Sequence, residues 1–102
     1  MLWPVAPMTG SEAAERLKQL SGWTLEGQAI RRQFTFDGFR AAVAFVVRLG
    51  FDAEEVDHHP DILINYKRVT LTYTTHSEGG LTGKDFAGAL RATEIAAAMG
   101  GR

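Results

Sequence analysis

The stretch Ile62-Leu63-Ile64-Asn65-Tyr66-Lys67-Arg68-Val69-Thr70-Leu71-Thr72-Tyr73-Thr74-Thr75 sets β-branched and aromatic residues on either side of a polar centre. That is the pattern of two extended segments folded back on each other. Val69, Leu71 and Tyr73 share one face of the second segment and Thr70, Thr72 and Thr74 the other, because side chains alternate along a strand. The result is a half-buried hairpin. A turn centred near Tyr66-Lys67-Arg68 makes paired residue numbers sum to about 134, which sets His58 opposite His76 and His59 opposite Thr75.

Working outward, Trp23-Thr24-Leu25 and Ala29 through Phe36 flank Glu26-Gly27-Gln28 and read as another hairpin. Its second strand places Ile30, Phe34 and Phe36 on one face, interrupted by Arg32. Ser11 ahead of Glu12-Ala13-Ala14-Glu15 suits a helix start and Ser21-Gly22 its end, which places a first helix at 12–21. Asp37 offers a cap for a second helix through Phe39–Val47, whose apolar side chains occupy more than one stripe. Pro60 holds His59 extended and ends that helix before it. Thr82-Gly83-Lys84-Asp85 forms a capping box ahead of Phe86, Ala89, Leu90, Thr93 and Ala97, and Gly100-Gly101 ends this last helix. The expected order is αββαββα, an α+β fold with a four-stranded antiparallel sheet packed on one face by helices.

The 102 residues suit a single domain, 1–102, with residues 1–10 as a terminal arm. Met1 through Met8 is apolar but short, without a basic side chain and broken by two prolines, so it fails as a signal peptide or membrane span. Eleven basic against twelve acidic residues, with no block of like charges, disfavour nucleic-acid binding. Arg31-Arg32 is too short for a nucleic-acid patch and reads as a solvated strand face. The absence of cysteine excludes disulfides, thiolate metal sites and thiol catalysis, and a cytoplasmic location is the default. The second helix is too apolar for a small domain to cover, which predicts that a second copy of the chain packs against it.

All three histidines, His58, His59 and His76, fall at the outer ends of the second hairpin. In a regular strand His58 and His59 would face opposite sides; a bent segment before the strand is the reading adopted here. Imidazole moves protons near neutrality because its unperturbed pKa is about 6.5. Ser77 lacks the surroundings of a nucleophile and reads as a turn residue, as do Gly79-Gly80. Adjacent histidines seldom reach one metal, so no metal site is expected. Tyr66 and Tyr73 read as packing residues.

Glu54-Glu55-Val56-Asp57-His58-His59-Pro60, then Tyr66, His76, Gly79-Gly80-Leu81-Thr82 and Asp85, resembles the signature of the pterin-4a-carbinolamine dehydratases, also called dimerization cofactors of a homeodomain transcription factor. The likeness extends over nearly the whole chain outside the arm. One position departs from it: Ile62 stands where animal members carry tryptophan.

The resemblance implies a hydro-lyase, a 4a-hydroxytetrahydrobiopterin dehydratase, that converts 4a-hydroxytetrahydropterin to quinonoid dihydropterin in tetrahydrobiopterin recycling. It implies no metal or organic cofactor, the pterin being the substrate. By similarity His58 and His76 are candidates for general acid and base, in either order, and His59 for holding the ring. Asp57, His58, His59, Thr74, Thr75, His76 and Ser77 would bind substrate, with Glu54, Pro60 and Asp85 in support. Glu54 would orient an imidazole, while Asp85 reads foremost as a helix cap. Relatives form homodimers through sheet edges and homotetramers through packed helices. The alternative is a pterin-binding or partner-binding module of the same fold, a coactivator or assembly helper without turnover, or a structural oligomer with idle histidines.

Overall fold

A computed structural model of the chain describes residues 6–102; the first half of the arm, residues 1–5, lies outside the described residues. In chain order the elements are α1 (Gly10–Leu17), β1 (Thr24–Glu26), β2 (Ala29–Thr35), α2 (Phe39–Val56), β3 (Asp61–Asn65), β4 (Arg68–Tyr73), a short 3-10 turn (His76–Glu78) and α3 (Gly83–Ala98). This is the αββαββα order. The strands form one antiparallel sheet in the order β1-β2-β4-β3, so each hairpin contributes an edge strand and the two inner strands pair with each other.

The sheet buries one face under the helices because its alternation is regular. Ile30 pairs with Tyr73, and Phe34 with Val69, across the two central strands, and all four are buried. Ala42, Phe45, Leu49 and Ala53 form the inner stripe of α2, at the spacing that keeps one helical face on the core. Phe36 and Phe45 stack 4.9 Å apart and Phe34 lies 5.6 Å from Phe45. Each such aromatic removes enough apolar surface from water to contribute about 1.5–3 kcal/mol.

Arg32 shares the parity of Ile30 and Phe34 and reconciles charge with that face locally. Its guanidinium lies over the Phe34 ring, 4.3 Å from the centroid, and Nη1 donates to the Ser21 carbonyl at 2.8 Å. Burial pulls its pKa below the ordinary arginine value. Gly22 is needed beside it: at φ +90, a Cβ there would sit 2.8 Å from Arg32 Cζ.

Several expected boundaries move. The first helix starts at Gly10, capped by Thr9 in a reciprocal box with Glu12, instead of after Ser11. Thr9 wins because its hydroxyl and the Glu12 carboxylate satisfy each other's backbone donors. Met8 packs on the core and donates its N–H to the Leu81 carbonyl at 2.7 Å, so the arm joins the fold before residue 10. Asp37 does not cap α2; Gly38 is the N-cap, and Asp37 accepts from Arg102 at 3.3 Å. In α3 the buried stripe is Asp85, Phe86, Ala89, Ala92, Ile95 and Ala96, with Leu90 and Ala97 facing outward. Tyr66 is no packing residue: it stands 68% exposed in the turn with φ 55, whereas Tyr73 is buried.

The second hairpin pairs Asp61 with Thr72 through Asn65 with Arg68. Its pairs sum to one less than expected, because the turn is the two-residue Tyr66-Lys67. The α2 surface also carries exposed Phe39, Val47, Phe51 and Val56, and β3 leaves Ile62 and Leu63 partly open.

Candidate active site

A local reversal of the chain builds the first half of the site. α2 ends with Asp57 in the left-handed conformation at φ 53, a geometry aspartate tolerates better than most residues. This reversal turns the chain out of the helix, and the Asp57–Pro60 connection delivers both histidines before β3 begins at Asp61. The dipeptide therefore lies in a bend, as the sequence suggested. Pro60 is buried beneath it.

The two imidazoles diverge from that bend. His58 turns inward, its side chain 13% exposed, and its Nε2 lies 2.6 Å from Asp85 Oδ1. His59 is half exposed and its Nε2 contacts Glu54 at 2.9 Å. Glu54 thus partners His59, not the His58 one turn further along. His58 also lies along the Tyr73 ring, with centroids 6.0 Å apart and planes at 23°. Burial, and then the Asp85 charge, push the Tyr73 phenol above its ordinary range, which keeps it protonated.

Asp85 is fully buried and has two duties at once. Its Oδ2 accepts the Thr82 N–H at 2.9 Å, closing the capping box of α3. The same oxygen accepts the Thr75 hydroxyl at 2.8 Å, while Oδ1 faces His58. Reading it foremost as a cap captured half of its role. Its distance from His58 in the chain hid the rest, since no local spacing predicts that contact.

His76 opens the short turn after β4 and is exposed, with Ser77 beside it. It lines a hollow of about 280 Å³ with Gln28, Ala29, Thr74, Gly79 and Gly80. Thr74 donates its hydroxyl to the Gln28 carbonyl at 2.6 Å there, and Thr75 pairs with Gly80 across the base of the turn. His58 lines a different cavity, of about 520 Å³ between α2 and α3, together with Tyr73, Lys84 and Arg91. Within this chain His58 and His76 line separate hollows. Thr74 and Thr75 explain the separation: strand alternation sends the first toward His76 and the second toward Asp85 and His58. Tyr73, Lys84 and Arg91 are among the cavity residues that motif reading had not placed in the site. Among the described residues no group of His, Asp or Glu side chains is arranged to hold a metal ion.

The model of the family described as pterin 4 alpha carbinolamine dehydratase matches residues 6–95. The chain belongs to that family. It is 49% identical over 90 residues to a protein of Roseiflexus castenholzii, spanning 88% of this chain and 97% of that one. It is 50% identical over 88 residues to a protein of Chloroflexus aurantiacus, spanning 86% and 95% respectively. Both relatives carry the name "Putative pterin-4-alpha-carbinolamine dehydratase". Among solved structures, a transcriptional coactivator/pterin dehydratase from Brucella melitensis aligns with a TM-score of 0.84 and 40% identity, over 88% of this chain and 98% of that one. A pterin dehydratase-like RuBisCO assembly factor of the alpha-carboxysome shares the fold, with a TM-score of 0.66 and 24% identity over 76% and 92% of the two chains. The fold thus occurs in proteins with differing described roles.

Proposed function

We propose that this chain is a 4a-hydroxytetrahydropterin dehydratase. The observation that carries the reading is the half-enclosed His58 imidazole backed by the fully buried Asp85 carboxylate, in a chain of the carbinolamine dehydratase family. A carboxylate behind an imidazole orients the ring and stabilises its protonated form. In the reaction, N5 of the pterin pushes electrons toward C4a as the C4a–O bond breaks. A general acid protonates the departing hydroxyl so that water leaves, and a base takes a proton from the ring cation. One proton is given and one recovered, so the net change is loss of water and needs neither metal nor organic cofactor. His58 and His76 serve as acid and base, His59 steadies the ring, and the pterin lies at the hairpin end between Asp57–His59 and Thr74–Ser77.

This reading places the protein in the cytoplasm, in tetrahydrobiopterin recycling, as a homodimer or homotetramer. The exposed Val47 and Phe51, one turn apart on α2, support self-association, since apolar groups gathered on one surface favour a partner. Among the described residues no helix is long and apolar enough to cross a membrane.

The test is to mix purified protein with freshly generated carbinolamine and follow dehydration by stopped flow. The expected result is a rate above buffer that His58→Ala and His76→Ala abolish. A rate equal to buffer overturns the reading and leaves its alternative, a pterin-binding or partner-binding module without turnover.

A further inference from the structure

The hydrogens around Asp85 can be assigned only one way if its carboxylate is ionised. A carboxylate accepts and does not donate, and a hydroxyl has one hydrogen to give. Thr75 Oγ1 lies 2.8 Å from Asp85 Oδ2 and 2.9 Å from Thr82 Oγ1. The Thr75 hydrogen must go to the carboxylate, so the contact between the two hydroxyls uses the hydrogen of Thr82. Thr82 Oγ1 in turn accepts from the Lys84 N–H at 3.3 Å. With the Thr82 N–H at 2.9 Å, Oδ2 holds two donors. Oδ1 is left to face His58 Nε2 at 2.6 Å, a contact that requires the ring hydrogen on Nε2. Among the described residues no protein group bonds Nδ1.

We propose that Thr75 and Thr82 are positioning residues: their donors fix the Asp85 carboxylate so that its free oxygen holds His58 as the Nε2–H tautomer and reserves Nδ1 for proton exchange with the ligand. Thr75 is otherwise fully engaged. Its N–H donates to the Gly80 carbonyl at 3.2 Å, and its own carbonyl accepts from Glu78 at 3.0 Å and Gly80 at 3.3 Å. It therefore has no donor left to offer a substrate, and its place in the family's binding segment is that of a support. The exchange at Nδ1 rests on the dehydratase reading; the tautomer does not.

The test is long-range proton–nitrogen NMR of the native protein at mildly alkaline pH. The expected signature is a proton-bearing Nε2 and a bare Nδ1 on His58. The reverse tautomer, or an average of the two, overturns the proposal. In Asp85→Asn the amide oxygen should stay with the Thr75 and Thr82 donors and turn its NH2 toward His58, reversing the tautomer. There kcat should fall by about 100-fold or more, with KM little changed; an unchanged tautomer overturns the proposal. Thr75→Val should keep the tautomer, because an ionised carboxylate can only accept, but should shift the His58 Nε2 proton resonance as the released carboxylate moves, and Thr75→Ser should restore it; an unchanged resonance in Thr75→Val overturns the positioning role. A native tautomer as expected in a protein with no dehydration above buffer would sink the dehydratase reading alone.

Discussion

Substituting Gly88 by alanine tests how tightly the core behind the site is closed. Gly88 lies within α3, and a Cβ there would sit 2.6 Å from Tyr73 Cε1, 3.0 Å from Cζ and 3.2 Å from Cδ1. The ring would have to retreat by roughly 1 Å to restore ordinary contact in an interior packed as densely as a crystal. Trp23 and His58 flank it, 5.9 Å and 6.0 Å away, and the cavity that it lines with Gly88 is the one direction open to it. Forcing one methyl into such a core costs about 1–3 kcal/mol, whereas alanine gains about 1 kcal/mol over glycine in a helix. The clash should win, leaving a net loss of up to about 2 kcal/mol. For a domain of this size that lowers Tm by up to about 16 °C, measured by calorimetry and by the urea midpoint. In a Tyr73→Leu background the clash is gone, so the same glycine-to-alanine change should raise Tm. A rise in the native background, or the same sign in both, would refute the packing argument.

Three other outcomes follow from named contacts. Thr93→Val removes the acceptor of the Trp23 indole N–H at 2.9 Å, and a buried donor left unpaired should cost about 1–3 kcal/mol in urea unfolding; Thr93→Ser should restore most of it. Tyr66→Asn relieves a left-handed tyrosine at φ 55, and the urea midpoint should rise by the equivalent of about 1 kcal/mol. Tyr73 has its folded pKa raised by burial and then by the Asp85 charge. Its contribution is therefore complete below the ordinary tyrosine pKa, about 10, and is lost as pH climbs beyond it; alkaline unfolding curves should be steeper for the native protein than for Tyr73→Phe.

Much of the fold could be read from particular residues. Val69, Leu71 and Tyr73 alternate with threonines, and the structure buries the first set under the helices. The box Thr82–Asp85 starts α3 where expected. Glycine turns and alternation are local properties, set by sterics within a few residues, and they survive any tertiary context that lets one face be buried. Local rules also failed locally. Thr9 and Ser11 are both good caps, and the choice between them depended on Glu12 reaching back. Arg32 looked like an interruption until the Ser21 carbonyl and the Phe34 ring received it.

The sequence by itself determined the order of elements, the bend at His58-His59-Pro60 and the family to which the chain belongs, because these rest on short-range backbone preferences and on residue types at fixed spacing. Only the tertiary structure decided the partners of each imidazole. His58 meets Asp85 and His59 meets Glu54, while His76 opens onto the hollow beside Gln28. A one-residue change in hairpin register turns side chains to opposite faces, so pairing arithmetic could bring the segments together without fixing where their rings point.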